Sequence, residues 1–161
     1  MRTGLDSAFE HAHRMIGTTT RRNLGTLRAA ESVAFARASA ERDPRFLDPG
    51  RDDFQVHPMY LPSILRGPDG ADSEEYRPDG MFADEVPGTA GLDVRLLAGG
   101  QNIEFCSAPP LGEPIEVTRT VCGVDRKGSD GREFLLITVS KTYRVTESVT
   151  LAIVTERFIV R

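Results

Sequence analysis

Residues 31–48 read ESVAFARASAERDPRFLD. The first ten contain no helix breaker. Val33, Ala34, Ala36, Ala38 and Ala40 give them small apolar surfaces on more than one side. A helix that apolar all round is normally buried. The helix is expected to stop at Arg42-Asp43-Pro44, because proline lacks an N–H and pushes the residue before it out of the helical region. Strand-like segments follow in the last third of the chain. One buried helix wrapped by a sheet, an α+β arrangement, is the architecture to expect.

The chain has 161 residues and a formal net charge of −4. That length fits one domain, residues 1–161, with a core of useful size. The acidic balance gives nucleic-acid binding no electrostatic support. No apolar run is long enough to span a bilayer, and the start, MRTGLDSAFEHAHRM, is too polar and acidic for a signal peptide. A soluble, cytoplasmic protein is expected. Cys106 and Cys122 have no CxxC spacing and read as reduced thiols in or near strands. Three histidines without a cysteine in ligand spacing give a metal site no support.

Around the central helix the elements read in order. Leu5 to Ile16 forms a short amphipathic helix, with Leu5, Phe9 and Ile16 on one stripe. His11 and His13 are two apart, share no helical face and read as solvated. Thr18 to Leu27 is a first strand weakened by Gly25. Val56 to Leu65 is an apolar island suited to a short buried helix, limited by Pro62. Arg66 to Gly91 combines glycines and prolines with seven acidic residues. It reads as a long mobile excursion, or alternatively a lid. From Leu92 the pattern turns to β, with Gly99-Gly100 interrupting Leu92 to Phe105. Ile115, Val117, Arg119 and Val121 fall on one face of a strand. Asp130-Gly131 signals a hairpin. Phe134 to Val145 and Val149 to Val160 should pair antiparallel across Thr146-Glu147-Ser148. About five strands, mostly antiparallel, result.

The order of these motifs resembles the MaoC-like hotdog hydratase/dehydratases, and within them the N-terminal FAS1-like dehydratase domain. The residues carrying the likeness are Phe35-Ala36-Arg37-Ala38, Asp43-Pro44 with Asp48, Val56-His57-Pro58, Leu97-Ala98-Gly99-Gly100-Gln101 with Glu104-Phe105, and Leu111-Gly112-Glu113. The resemblance implies a hotdog fold, with a long central helix wrapped by an antiparallel sheet. It implies pairing with a second hotdog subunit, as homodimer or heterodimer. The substrate it implies is an acyl thioester carried on coenzyme A or acyl carrier protein, with no further cofactor and no nucleic-acid or membrane partner.

The implied reaction is hydration of an enoyl thioester or its reverse. It needs an acid/base group and a donor for the thioester carbonyl, where enolate charge develops. Active members keep these in a motif resembling G-D-x-N-P-I-H after the helix. Aligned on proline, this chain reads Ala40-Glu41-Arg42-Asp43-Pro44-Arg45-Phe46. Glu41 stands for the aspartate, Asp43 for the asparagine and Phe46 for the histidine. The histidine-glycine step that binds the carbonyl becomes His57-Pro58, and proline has no N–H to offer. His57, Glu41 and Asp43 are the remaining acid/base candidates, against structural or solvated roles. Tyr60 and Gly99-Gly100-Gln101 are the substrate-contact candidates, against a core tyrosine and a bulge in a bent strand. The candidate functions are a dehydratase/hydratase rebuilt around these residues, a silent subunit completing a partner's substrate tunnel, and a hotdog protein recruited to isomerisation or cyclisation of a polyketide-like chain.

Overall fold

A computed structural model describes residues 4–129 and 131–161. Asp130, half of the expected hairpin signal, lies outside them. The elements are α1 (Gly4–Arg14), β1 (Thr19–Thr26), α2 (Ala29–Ala38), the single-turn helix α3 (Tyr60–Ser63), β2 (Leu96–Phe105), β3 (Pro114–Lys127), β4 (Phe134–Thr146) and β5 (Val149–Val160). The strands form one sheet in the order β1-β3-β4-β5-β2, and every neighbouring pair is antiparallel. The expected α+β class and five-stranded antiparallel sheet are present.

β4 sits in the middle because its side chains suit both neighbours. Leu135, Ile137, Val139, Lys141 and Tyr143 alternate onto the buried face, the period of two that a half-buried strand requires. Thr146 pairs with Val149 across the expected tight connection. On β3, Ile115, Val117 and Val121 are buried and Arg119 is half-buried on the same face. The glycines of β1 and β2 fall at register shifts: Asn23/Gly25 on β1 and Ala98/Gly100 on β2. Cys122 lies in β3 and Cys106 just beyond β2; both are free and exposed.

Two apolar clusters fill the buried side. One joins Ile115, Val117, Tyr143, Leu151 and Val154 of the sheet to Leu24, Leu27, Val56, Tyr60 and Leu61, with Phe35 of α2 against it. The other joins Leu135, Ile137, Val139, Phe158 and Val160 to Ala8, Ala12 and Val86. The buried contacts of α1 are thus its alanines, backed by Leu5 and Phe9. Ile16 lies beyond the helix and is exposed.

The structure departs from expectation at the central helix. α2 starts at Ala29, earlier than expected, and buries only Ser32, Val33 and Ala36. Ala34, Ala38 and Ala40 are exposed. A single sheet covers only one stripe of a helix, and alanine carries so little apolar surface that exposing it costs little. Nor does Pro44 end the helix. Ala40 adopts the left-handed conformation at φ 58°, so its N–H bonds Arg37 O and the Glu41 N–H bonds Ala36 O. That pair of bonds is a left-handed C-terminal cap, normally built on glycine. Pro44 instead opens a 3₁₀ turn, Pro44–Phe46, capped by Asp43.

The 66–91 segment is the expected long loop, with one 3₁₀ turn at Ser73–Glu75, and its last part packs against the sheet. Glu85, Val86, Pro87 and Thr89 are buried, and Tyr76 bridges to Phe82. Arg22 donates two hydrogen bonds to Glu75, and Arg66 pairs with Asp84. A Cβ on Gly88, φ +75°, would lie 2.3 Å from Ala12 N, so this backbone touches α1 directly. The acids that suggested solvation are largely paired. Lys141 Nζ lies 2.9 Å from Glu85 Oε1 and 2.7 Å from Glu156 Oε2, with all three side chains nearly buried. Removing one member of such a group leaves uncompensated buried charge. Lys141→Ala is therefore expected to lower the unfolding free energy by about 3–5 kcal/mol, read from urea denaturation.

Candidate functional site

The left-handed turn at Ala40 carries the chain off α2 and presents Glu41 beside the helix end. Glu41 Oε1 accepts hydrogen bonds from the N–H groups of Arg42 (2.7 Å) and Asp43 (2.9 Å). Oε2 lies 3.3 Å from His57 Nε2. His57 follows Val56, which is buried in the first apolar cluster. The backbone N–H of His57 donates to Ser32 Oγ at 3.2 Å, and Ser32 is fully buried in α2. One side chain of α2 therefore anchors the segment that brings His57 to Glu41.

The imidazole is fixed as well as placed. The Met59 N–H donates to His57 Nδ1 at 3.2 Å. An accepting Nδ1 carries no proton, so the neutral ring holds its hydrogen on Nε2, toward Glu41. Phe35 and Phe46 flank the ring at centroid distances of 5.3 and 5.2 Å, and Phe35 also meets Tyr60 at 5.6 Å. Phe46, where the family motif has histidine, is a wall of the site. The His57 side chain is 13% exposed and that of Glu41 26%, so the carboxylate is the more accessible of the two. The backbone N–H groups of Asp43 and Arg42, then the desolvation that opposes them, then His57, leave Glu41 below its ordinary carboxylate value. The site thus sets a carboxylate held below its ordinary value against an imidazole in an aromatic surround.

The side chains of Asp43 and Tyr60 take other partners, and the β2 glycines lie elsewhere. Asp43 turns to Arg45: Oδ1 accepts from the Arg45 N–H at 2.9 Å, and Oδ2 from Nε and Nη2 at 3.0 and 2.7 Å. That guanidinium holds Asp43 below the usual carboxylate range, and together with the Arg45 backbone N–H it occupies both carboxylate oxygens. Tyr60 is in the first cluster, 5% exposed, and burial raises its phenol. Gly99 and Gly100 form the bulge on edge strand β2, and Gln101 is exposed opposite Glu156. A Cβ on Gly99 would lie 2.9 Å from Arg157 O, so the glycine answers the close approach of the neighbouring strand. These three residues are not brought to Glu41 and His57. Ser32 and the Met59 N–H were not visible as site members, because a mid-helix serine and a backbone donor carry no signal until the chain folds. A partly open cavity of about 200 Å³ lies in another part of the chain, and neither Glu41 nor His57 is in its wall. Among the described residues, no three His, Cys, Asp or Glu side chains group as a metal-ligand set.

No family model matches the sequence, and no curated protein matches it either. Solved structures do. The crystal structure of the ChsH1-ChsH2 complex from Mycobacterium tuberculosis superposes with a TM-score of 0.66 at 14% identity, covering 96% of this chain and 89% of that one. The fold is the hotdog fold. The (R)-hydratase from A. caviae involved in PHA biosynthesis superposes with a TM-score of 0.60 at 18% identity, over 89% of this chain and 94% of that one. The MaoC-like dehydratase from Rhodospirillum rubrum gives 0.58 at 15% identity, over 90% and 91%. The hotdog chain is thus structurally similar to MaoC-like hydratases and dehydratases, and the likeness singles out no subgroup.

Two outcomes follow from the site geometry. Ala40 is a non-glycine residue in the left-handed region, where a side chain costs roughly 1 kcal/mol. Ala40→Gly is expected to raise stability by about 0.5–1 kcal/mol in chemical denaturation, the relief of strain exceeding glycine's extra chain entropy. Glu41 is the second case. Its folded value is depressed, so the stability it contributes is complete above its unfolded value near 4.5 and is lost as pH falls through the folded value. Glu41→Gln should flatten that part of the acid limb of a stability–pH profile and leave the neutral region parallel to wild type.

Proposed function

We propose that this chain acts on acyl thioesters as a hotdog dehydratase/hydratase, with Glu41 as the acid/base group. The observation carrying this reading is the Glu41–His57 pair at the end of α2, 3.3 Å apart between Oε2 and Nε2. In hydration, a water oxygen bonds the β-carbon while Glu41 takes the water proton. The double-bond electrons move toward the thioester carbonyl, and the protonated Glu41 then returns that proton to the α-carbon as the enolate collapses. Dehydration is the reverse. Oε1 is held by two backbone N–H groups, so the proton moves on and off Oε2, the oxygen facing His57. His57 has Nδ1 occupied by Met59 N–H and therefore acts through Glu41, as a positioning residue that keeps the carboxylate oriented. Acid–base groups of this kind contribute about 10²–10⁴-fold in rate.

A second reading has its own support. Pro58 supplies no N–H for the thioester carbonyl, and the Met59 N–H is spent on His57. An oxyanion donor would then come from another subunit, and the chain would complete a partner's substrate tunnel without turning over alone. ChsH1-ChsH2 and HadBC are each described as complexes. Strand β2 presents a free, mostly exposed edge ending at Phe105, 49% exposed, and such edges are templates for pairing. The exposed outer side of α2 adds a second face for a subunit. We read the chain as a homodimer or heterodimer on this basis.

The deciding assay uses the purified chain with a crotonyl thioester of coenzyme A. Turnover is expected, with Glu41→Gln lowering the rate by at least about 10²-fold, His57→Ala lowering it less, and Asp43→Asn leaving it near wild type. Absence of turnover by the chain alone, with stimulation of a hotdog partner that carries the intact acid/base motif, would establish the silent-subunit reading. Full activity in Glu41→Gln would remove Glu41 from the mechanism. Light scattering should show a dimer at micromolar concentration, and a stable monomer would contradict the subunit assignment.

A further inference from the structure

A second concentration of charge lies away from Glu41 and His57. The cavity of about 200 Å³ is roofed by Glu85 and walled by Thr20 of β1, Arg119 of β3, Lys141 and Tyr143 of β4, and Met15 beyond α1. Most cations around it have carboxylate partners. Arg22 is paired with Glu75, Arg66 with Asp84, and Lys141 with Glu85 and Glu156.

Arg119 differs. Its Nη2 donates to the backbone carbonyl of Glu85. Its Nε is buried without a hydrogen-bond partner. Among the described residues, no carboxylate lies within ion-pair distance of it. Tyr143 is its diagonal neighbour on the same face, since Val117 pairs with Tyr143 and Arg119 with Lys141. Tyr143 is 2% exposed, yet its hydroxyl has no hydrogen-bond partner among the described residues. Burial pushes the phenol well above its ordinary value, so it stays a donor through the neutral range. A buried guanidinium N–H left without a partner is costly. A carboxylate offsets that cost best, because its two oxygens match the guanidinium fork.

We propose that this cavity is a ligand site for a small monocarboxylic acid, bound through Arg119 and the Tyr143 hydroxyl. One guanidinium with an unpartnered Nε and no carboxylate at ion-pair distance matches a ligand with a single negative charge. A phosphate dianion would place excess negative charge against Asp84 and Glu85, which also line the space. A cavity of about 150 Å³ is known to hold benzene, so the volume here fits an acid of benzoate size. Met15, Leu65 and Val117 supply apolar wall for its body.

Benzoate titrated into the wild-type chain and followed by amide NMR tests this. Saturable shifts are expected at residues 84–86, 117–120 and 141–143, with dissociation in the millimolar range or tighter. Benzamide, the same shape without charge, should cause none. Arg119→Gln should abolish binding. Tyr143→Phe, which removes only an unpartnered hydroxyl and whose spectrum reports its folding, should weaken binding at least about fivefold. The proposal is overturned by absence of saturable shifts, by equal response to benzamide, by shifts centred on Glu41 and His57, or by unchanged affinity in Tyr143→Phe. Inorganic phosphate binding more tightly than benzoate would also overturn the assignment to a monocarboxylate.

Discussion

Lys141, held between Glu85 and Glu156, is the contact on which the arrangement of this fold depends. It sits on the buried face of the central strand, between the two apolar clusters. Three charges taken out of water are costly, and only their mutual contacts offset that cost. The group therefore has one good geometry. That geometry requires the 66–91 segment to pass over the sheet at Glu85, and Arg119 reinforces it by donating to the Glu85 carbonyl. From there Val86 enters the second cluster and Gly88 meets the backbone of α1 at Ala12. The position of the N-terminal helix thus follows from an ion contact made some seventy residues downstream of it.

A different economy governs the end of α2. The helix closes through a left-handed alanine, a conformation that L-residues adopt at a cost. Strain of that sort persists where the surrounding structure over-determines it, and here the following residue is Glu41. The turn aims the carboxylate, two backbone N–H groups hold it, and Ser32 on the same helix anchors the backbone of His57. Phe46 closes one side of the imidazole instead of supplying a second one. The carboxylate at the helix end and the imidazole two segments later form a pair with different parts from the motif that their surroundings resemble.

The elements with a strong period were legible from sequence. β4 and β5 alternate cleanly and are separated by a tight connector, so their pairing follows from local chemistry. The order of short motifs around Asp43-Pro44, His57-Pro58 and Leu111-Gly112-Glu113 was enough to anticipate the hotdog fold. The buried extent of α2 was not legible, because alanine is compatible with either side of a helix. The packing of the 66–91 segment against the sheet was not legible for a related reason. Its composition counts acids, but composition does not say which acids meet an arginine or a lysine.

The sequence by itself determined the strand pattern, the helix, and the residue types available for proton transfer, because each depends on neighbours a few positions away. Tertiary structure decided which of them meet. Glu41 and Asp43 look equivalent in sequence, two carboxylates astride one arginine. Folding turns Asp43 onto Arg45 and leaves Glu41 facing a histidine sixteen positions on. Arg119 and Tyr143 look like ordinary members of two strands. Their adjacency on one face, with one lacking a counter-charge and the other a partner, exists only through the β3–β4 register, since hydrogen-bonded strands place residues side by side that the chain keeps far apart.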